Sequence, residues 1–152
     1  MKTILICSST HHGSTRKIAD VMAKVFKSKV LKPDEVDIKK LKDYDLIGIG
    51  SGIYVGKHHK SIFKLIEKMP SSMNKKCFVF STSGSGRKDM GKNHRKLKSV
   101  LKERGFRIVD EFTCRGFSNF GPLKLVGGIN KERPDEYDLK RAEKFAEGLN
   151  GK

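Results

Sequence analysis

The sequence predicts an α/β fold on a five-stranded parallel sheet. Apolar runs of strand length alternate with stretches of helical periodicity from one end of the chain to the other. Three of those runs, "ILIC", "LIGIG" and "CFVF", are apolar almost throughout, as strands covered on both faces must be. Two others, "EVDI" and "FRIVDEF", mix in charge and belong at the edges of the sheet.

In chain order, strands are expected at residues 3–7, 35–38, 46–50, 77–81 and 106–113. The first helix follows from Ile18, Val21, Met22 and Val25, and the second from Ile62, Leu65, Ile66 and Met69. Leu97, Val100 and Leu101 mark the third, and Leu139, Ala142, Ala146 and Leu149 the fourth. Pro33 and Pro70 are read as stops for the first two, and Gly105 as the cap after the third. Edge placement of the second and fifth strands with right-handed crossovers gives the order 2-1-3-4-5, with the ligand crevice at the carboxyl ends of strands one and three.

At 152 residues the chain is read as one domain, 1–152, able to bury roughly two thirds of its unfolded surface without disulfides or metal. No run has the length of a signal peptide core or a membrane span, which places the protein in the cytoplasm. Cys7, Cys77 and Cys114 sit inside apolar runs, odd in number and widely spaced, and are read as buried reduced thiols. The net charge of +16 attracts phosphates, acidic proteins and nucleic acid alike, so charge by itself selects no partner.

The loops after the central strands carry the chemistry. They are "SSTHHGST", "SGIYVGKHHK" and "STSGSGRKD", each Gly/Ser-rich and each leading into basic residues. Parallel strands bring all three to one sheet edge, where glycines allow close backbone approach and hydroxyls and N–H groups are neutral donors to phosphate. Arg16 and Lys17 stand in the first turn of the first helix, where cations are unfavourable unless an anion sits there. A phosphate held by the first loop satisfies that condition; the plain alternative is two solvated charges in a lysine-rich chain.

Other phosphate chemistries fail on the residues that perform them. The first loop has no G-x-G-x-x-G, and Gly84-x-Gly86 is followed by Asp89 where a third glycine belongs. Gly86 to Lys92 has G-x-x-x-x-G-K spacing, but Asn93 replaces the magnesium-binding hydroxyl. Cys7 is followed six positions on by Gly13 where a cysteine phosphatase needs arginine, and Ser51 stands where a receiver domain needs aspartate. His11, His12, His58 and His59 have no carboxylate or cysteine beside them to complete a metal shell.

The segment Thr10-His11-His12-Gly13-Ser14-Thr15 resembles the phosphate loop of flavodoxins, T/S-x-T-G-x-T, in its family position between first strand and first helix. "DYDLIGIGSGIYVGKHHKSIFKLIEKMP" and "KKCFVFSTSG" resemble the second and third flavin loops, and the similarity covers nearly the whole chain. The resemblance implies a flavodoxin-like three-layer sandwich, non-covalent FMN and electron transfer between redox partner proteins. On this reading the phosphate is held by Ser9, Thr10, His12, Ser14 and Thr15 with the backbone of His11 and Gly13. Ser51, Gly52, Ile53 and Tyr54 line one side of the flavin ring, and Thr82, Ser83, Gly84 and Ser85 the other.

Three departures from the family stand out. His12 occupies a position the family commonly gives to a hydroxyl, and the third loop lacks an aromatic, which leaves Tyr54 as the candidate stacker. From Arg87 to Arg104, eight basic residues face only Asp89 and Glu103, a net of +6 where flavodoxins are usually acidic. An acidic redox partner complements that face; without interleaved aromatics it does not form a base-stacking platform for nucleic acid. The stretch after Cys114, with Phe117, Phe120 and Leu123, has no clear period and is read as a cover beside the flavin or a docking element, with a plain surface excursion as the alternative. Two further readings remain open: a flavin oxidoreductase acting on NAD(P)H, a quinone or a porphyrinogen, and a binding module that uses the basic face.

Overall fold

The computed structural model describes residues 1–9, 13–116 and 132–151. The strands are β1 (Thr3–Ser8), β2 (Val30–Leu31), β3 (Leu46–Tyr54), β4 (Lys57–His58), β5 (Lys76–Ser83) and β6 (Arg107–Arg115). The helices are α1 (Ser14–Phe26), α2 (Lys60–Glu67), α3 (Met90–Glu103) and α4 (Glu136–Asn150). The parallel sheet runs β2-β1-β3-β5-β6, and β4 folds back antiparallel on β3. This is the doubly wound order expected from the sequence, with one short strand added.

The apolar runs alternate between two cores. Ile4, Ile6, Ile47, Ile49, Cys77 and Val79 face α2 and α3 through Ile62, Ile66, Leu97 and Leu101. Leu5, Cys7, Phe78, Phe80, Phe112 and Cys114 face α1 and α4 through Ile18, Met22, Ala142 and Ala146. A strand that feeds two cores has no solvent face, which is why "ILIC" and "CFVF" lack polar positions. All three cysteines are free and buried, and desolvation pushes each thiol up to about 12, so they pack as small apolar groups at neutral pH. Among the described residues no helix is long and apolar enough to cross a membrane.

Two expectations are corrected. The second strand is Val30–Leu31, paired with Leu5 and Ile6, and not residues 35–38. Local side-chain bonds win there: Pro33 opens a 3-10 turn, Glu35 accepts from the Lys32 N–H at 2.8 Å, and Asp37 accepts from the Lys39 N–H at 3.1 Å. Pro33 also does not end α1. The helix stops six residues earlier, where Lys27 turns left-handed at φ 53° and the Ser28 N–H reaches the Ala23 carbonyl at 3.0 Å. Gly105, at φ +83°, does follow α3 as read.

Candidate functional site

Loop 1 begins at Ser9, beyond β1. Thr10, His11 and His12 lie outside the described residues, as do Phe117, Phe120 and Leu123. Gly13 enters α1 in the left-handed conformation at φ 68°, with no atom of the described residues within 4 Å of where a Cβ would stand, and the first turn of α1 contains no acidic residue. Ser9 Oγ accepts the Arg16 N–H at 3.3 Å. Ser14 and Thr15 are buried, and the Thr15 hydroxyl meets that of Thr82 in loop 3 at 2.7 Å. Arg16 leans along its own helix to Asp20, 2.9 Å away, with both side chains about half exposed. That pair offsets part of the unfavourable charge in the first turn without placing a carboxylate at the helix start.

The second loop expected from the sequence begins inside β3, which runs past the expected end at residue 50 to Tyr54; Ser51 on it is fully buried. Its hydroxyl donates to the Gly52 carbonyl at 2.6 Å and accepts the His59 N–H at 2.9 Å, so Ser51 closes the loop on itself. Gly52, Ile53 and Tyr54 are half-buried. Tyr54 folds back over Gly52, where an added Cβ would come 3.1 Å from its hydroxyl, and its ring meets His59 edge-on at 5.3 Å. His59 caps α2 by accepting the Ser61 N–H, and Ser61 Oγ donates to Ser8 Oγ at 2.9 Å, which binds loop 2 to the end of β1.

The turn joining β3 to β4 has positive φ at both central residues, 51° at Val55 and 76° at Gly56. Such turns favour Asn-Gly because a β-branched side chain is strained there. Val55 is nonetheless 87% exposed, so no packing offsets the strain. Val55→Asn is expected to stabilise the protein by about 1 kcal/mol, read as a higher urea midpoint with unchanged slope. A lower midpoint would show that Val55 makes contacts worth more than its backbone costs.

Of the third loop expected from the sequence, Thr82 and Ser83 are the last residues of β5, which outruns the expected end at residue 81; Thr82 is buried and Ser83, Gly84 and Ser85 are half-buried. Ser83 Oγ accepts the Gly86 N–H at 2.9 Å, and the Ser83 carbonyl accepts from Gly116 at 3.1 Å. Gly116 is wedged between loops 1 and 3: a Cβ there would lie 2.9 Å from Thr82 Cβ and 3.0 Å from Ser14 Cβ. The described parts of the three loops therefore share one edge of the sheet. Direct bonds join loop 1 to loop 3 and loop 2 to the end of β1.

Under loops 2 and 3 lies a polar network that sequence reasoning did not find. His58 is 1% exposed and donates Nε2–H to the Phe80 carbonyl at 3.0 Å, which leaves buried Nδ1 without a partner. Its ring lies 5.0 Å from that of His94, which is fully buried on α3. His94 Nε2 contacts Ser81 Oγ at 2.6 Å, and its Nδ1 meets Glu111 at 2.9 Å. Lys98 donates to the other Glu111 oxygen at 2.8 Å.

Burial pushes His58 down to about 3, with neighbouring His94 adding to the effect. Burial also lowers His94 against the opposing pull of Glu111. Burial alone would raise the Glu111 carboxyl, but the Lys98 and His94 contacts outweigh it and hold it below the ordinary range. Ser81, His94 and Glu111 line up as nucleophile, base and orienting acid do in hydrolases, yet Ser81 is 1% exposed and also bonded to Thr113 at 2.8 Å. The array is sealed from substrate and supports the sheet beneath the loops. Among the described residues no cluster could hold a metal ion.

A model of the flavodoxin domain matches residues 5–117. An uncharacterized protein of Methanocaldococcus jannaschii is 45% identical over 150 residues, covering 98% of each chain. Among solved structures, a flavodoxin from the domain Archaea superposes with a TM-score of 0.70 at 16% identity, over 99% of this chain and 97% of that one. The rubredoxin oxygen:oxidoreductase of Desulfovibrio gigas superposes at 0.72 and 15% identity over 99% of this chain but only 36% of that one. Domain match, strand order and the shared loop edge agree, and the chain belongs to the flavodoxin-domain family.

Proposed function

We propose that this protein binds FMN at the carboxyl edge of the sheet and carries electrons between protein partners. The observation that carries the reading is the meeting of loops 1 and 3 at the Thr15–Thr82 hydroxyl contact of 2.7 Å, beside a helix start free of acidic residues. The donors there are neutral hydroxyls and N–H groups at a positive helix end, which suits a phosphate dianion. Among the described residues nothing lies within 4 Å of where a Gly13 Cβ would stand, which suits close approach of such a group to the backbone.

In this reading Ser9, Thr10, His12, Ser14 and Thr15, with the amides of His11 and Gly13, hold the phosphate. Of the paired hydroxyls of Thr15 and Thr82, one donates to the other, and the accepting hydroxyl keeps its own proton free for the ligand. Ser51, Gly52, Ile53 and Tyr54 border one side of the flavin, and Thr82, Ser83, Gly84 and Ser85 the other. Bound flavin would supply reversible electron transfer; the chain positions it and limits its contact with water. The exposed Lys92, Arg95, Lys96 and Lys102 of α3 favour an acidic partner, whose approach a positive face accelerates.

The test is the visible absorbance spectrum of purified protein, repeated after incubation with FMN and dialysis. A retained flavin spectrum is expected, with one equivalent bound. Protein that stays colourless at excess FMN would overturn the cofactor assignment and the electron-carrier role with it.

A further inference from the structure

A cavity of ~270 Å³ opens beside loop 3, between the end of β6 and the start of α4. Five cations line it: Arg87, Lys88, Arg115, Arg133 and Arg141. Arg133 is paired with Asp138, donating Nη2–H at 2.7 Å, and Asp135 stands 3.7 Å from its Nε. Arg141 lies 3.9 Å from Asp138, donates to the Thr113 carbonyl at 3.3 Å and packs over Phe112 at 5.0 Å. These contacts fix two guanidinium groups on the wall of the cavity. Among the described residues Arg87, Lys88 and Arg115 have no carboxylate within ion-pair distance, so three positive charges converge without compensation.

The wall is built and not merely charged. Gly86 is left-handed at φ +62°, and Arg115 crosses it so closely that a Cβ would lie 2.9 Å from Arg115 Cγ. A side chain at position 86 would push Arg115 away from loop 3. Tyr137, 67% exposed, completes the rim with Arg141 over its ring at 5.9 Å. The capping box at the start of α4 already uses the Asp135 and Asp138 amides, and the cations that line the cavity are side chains.

We propose that this cavity is a second anion site, separate from the phosphate loop, that takes the diphosphate group of a nucleoside diphosphate. Planar guanidinium forks match the geometry of phosphate oxygens, and several converging cations suit a multiply charged group over a lone carboxylate. The exposed ring of Tyr137 supplies a stacking surface for a base at the rim. Ser85 and Gly86 border the cavity from loop 3, so its occupant lies next to the proposed flavin site. The cavity exists whether or not loop 3 meets a flavin.

The probe is ADP, titrated calorimetrically into the full chain at physiological ionic strength with and without saturating FMN. One-site binding is expected in both cases. Arg115→Gln and the pair Arg87→Gln/Lys88→Gln should each weaken it about tenfold or more, as loss of a charge-assisted hydrogen bond does. The charge-matched pair Lys39→Gln/Lys40→Gln, on the 3-10 helix that precedes β3, should leave it unchanged. Absence of saturable binding, equal weakening by both pairs, or loss of ADP binding when FMN is added would each overturn the proposal. A protein that refuses FMN but still discriminates these variants would overturn the cofactor assignment alone.

Discussion

Lowering the pH from 7.5 to 4.5 is expected to remove about 3 kcal/mol of stability through His58 alone. The folded state holds this imidazole at about 3, against 6.5 for an ordinary histidine. The unfolded chain therefore binds the extra proton first, and stability is full above about 6.5 and declines as pH falls toward 3. The structural cause is specific. Nε2 must carry the proton donated to the Phe80 carbonyl, so a second proton would go on Nδ1, which is buried with no acceptor.

His94 faces His58 and is itself lowered by burial, so its contribution runs in the same direction, moderated by Glu111 and reinforced by Lys98. Urea unfolding of the parent and His58→Gln at both pH values isolates the term: the variant should lose less stability by roughly 3 kcal/mol. Parallel losses in the two proteins would mean that His58 is protonated in the folded state without penalty.

The layers of this fold are legible because each strand's burial is written in its residues. "ILIC" and "CFVF" have no polar position, and both faces of β1 and β5 are covered in the structure. The second strand was not legible, because Val30 and Leu31 are two residues with no period, while "EVDI" alternates convincingly and is held in turns by Glu35 and Asp37. Propensity favoured the wrong segment and local side-chain bonds decided it. The hairpin of β3 and β4 was also hidden, since Val55-Gly56 lacks the Asn or Asp that usually signals such a turn.

Loop residues were readable by type, through hydroxyls and glycines at the ends of strands. Their partners were not. Nothing local to Ser51 says that its hydroxyl will meet the His59 amide, and the Thr15–Thr82 contact spans 67 positions. His94 stands inside a basic run; only the i,i+3 spacing to buried Leu97 and i,i+7 to Leu101 marks it as a residue of the inner face of α3. Gly116 carries no signal in sequence, because its requirement comes from two chain segments far from it.

Gly50→Ala is expected to cost about 3 kcal/mol or more, near the upper end for overpacking a core. In the β3–β5 register Gly48 stands opposite Phe78 and Gly50 opposite Phe80. Each ring lies across its glycine, so a Cβ on Gly50 would come 2.4 Å from Phe80 Cδ2, and one on Gly48 2.4 Å from Phe78 Cζ. Neither phenylalanine has any exposed surface, and each ring packs against the other at 5.9 Å, so neither can swing aside. For a chain of this size the melting temperature should fall by roughly 10 °C.

The cause predicts its own remedy. Phe80→Leu in the parent removes buried surface and should destabilise, but in the Gly50→Ala background it frees the space the new methyl needs and should raise the melting temperature. That reversal of sign, measured in a double-mutant cycle, distinguishes a clash with the ring from a general intolerance of β3. Additive losses would place the strain elsewhere. Because β3 delivers Ser51 and Gly52 to the loop edge, the same cycle followed by FMN titration reads how far a strain in the sheet reaches the loops.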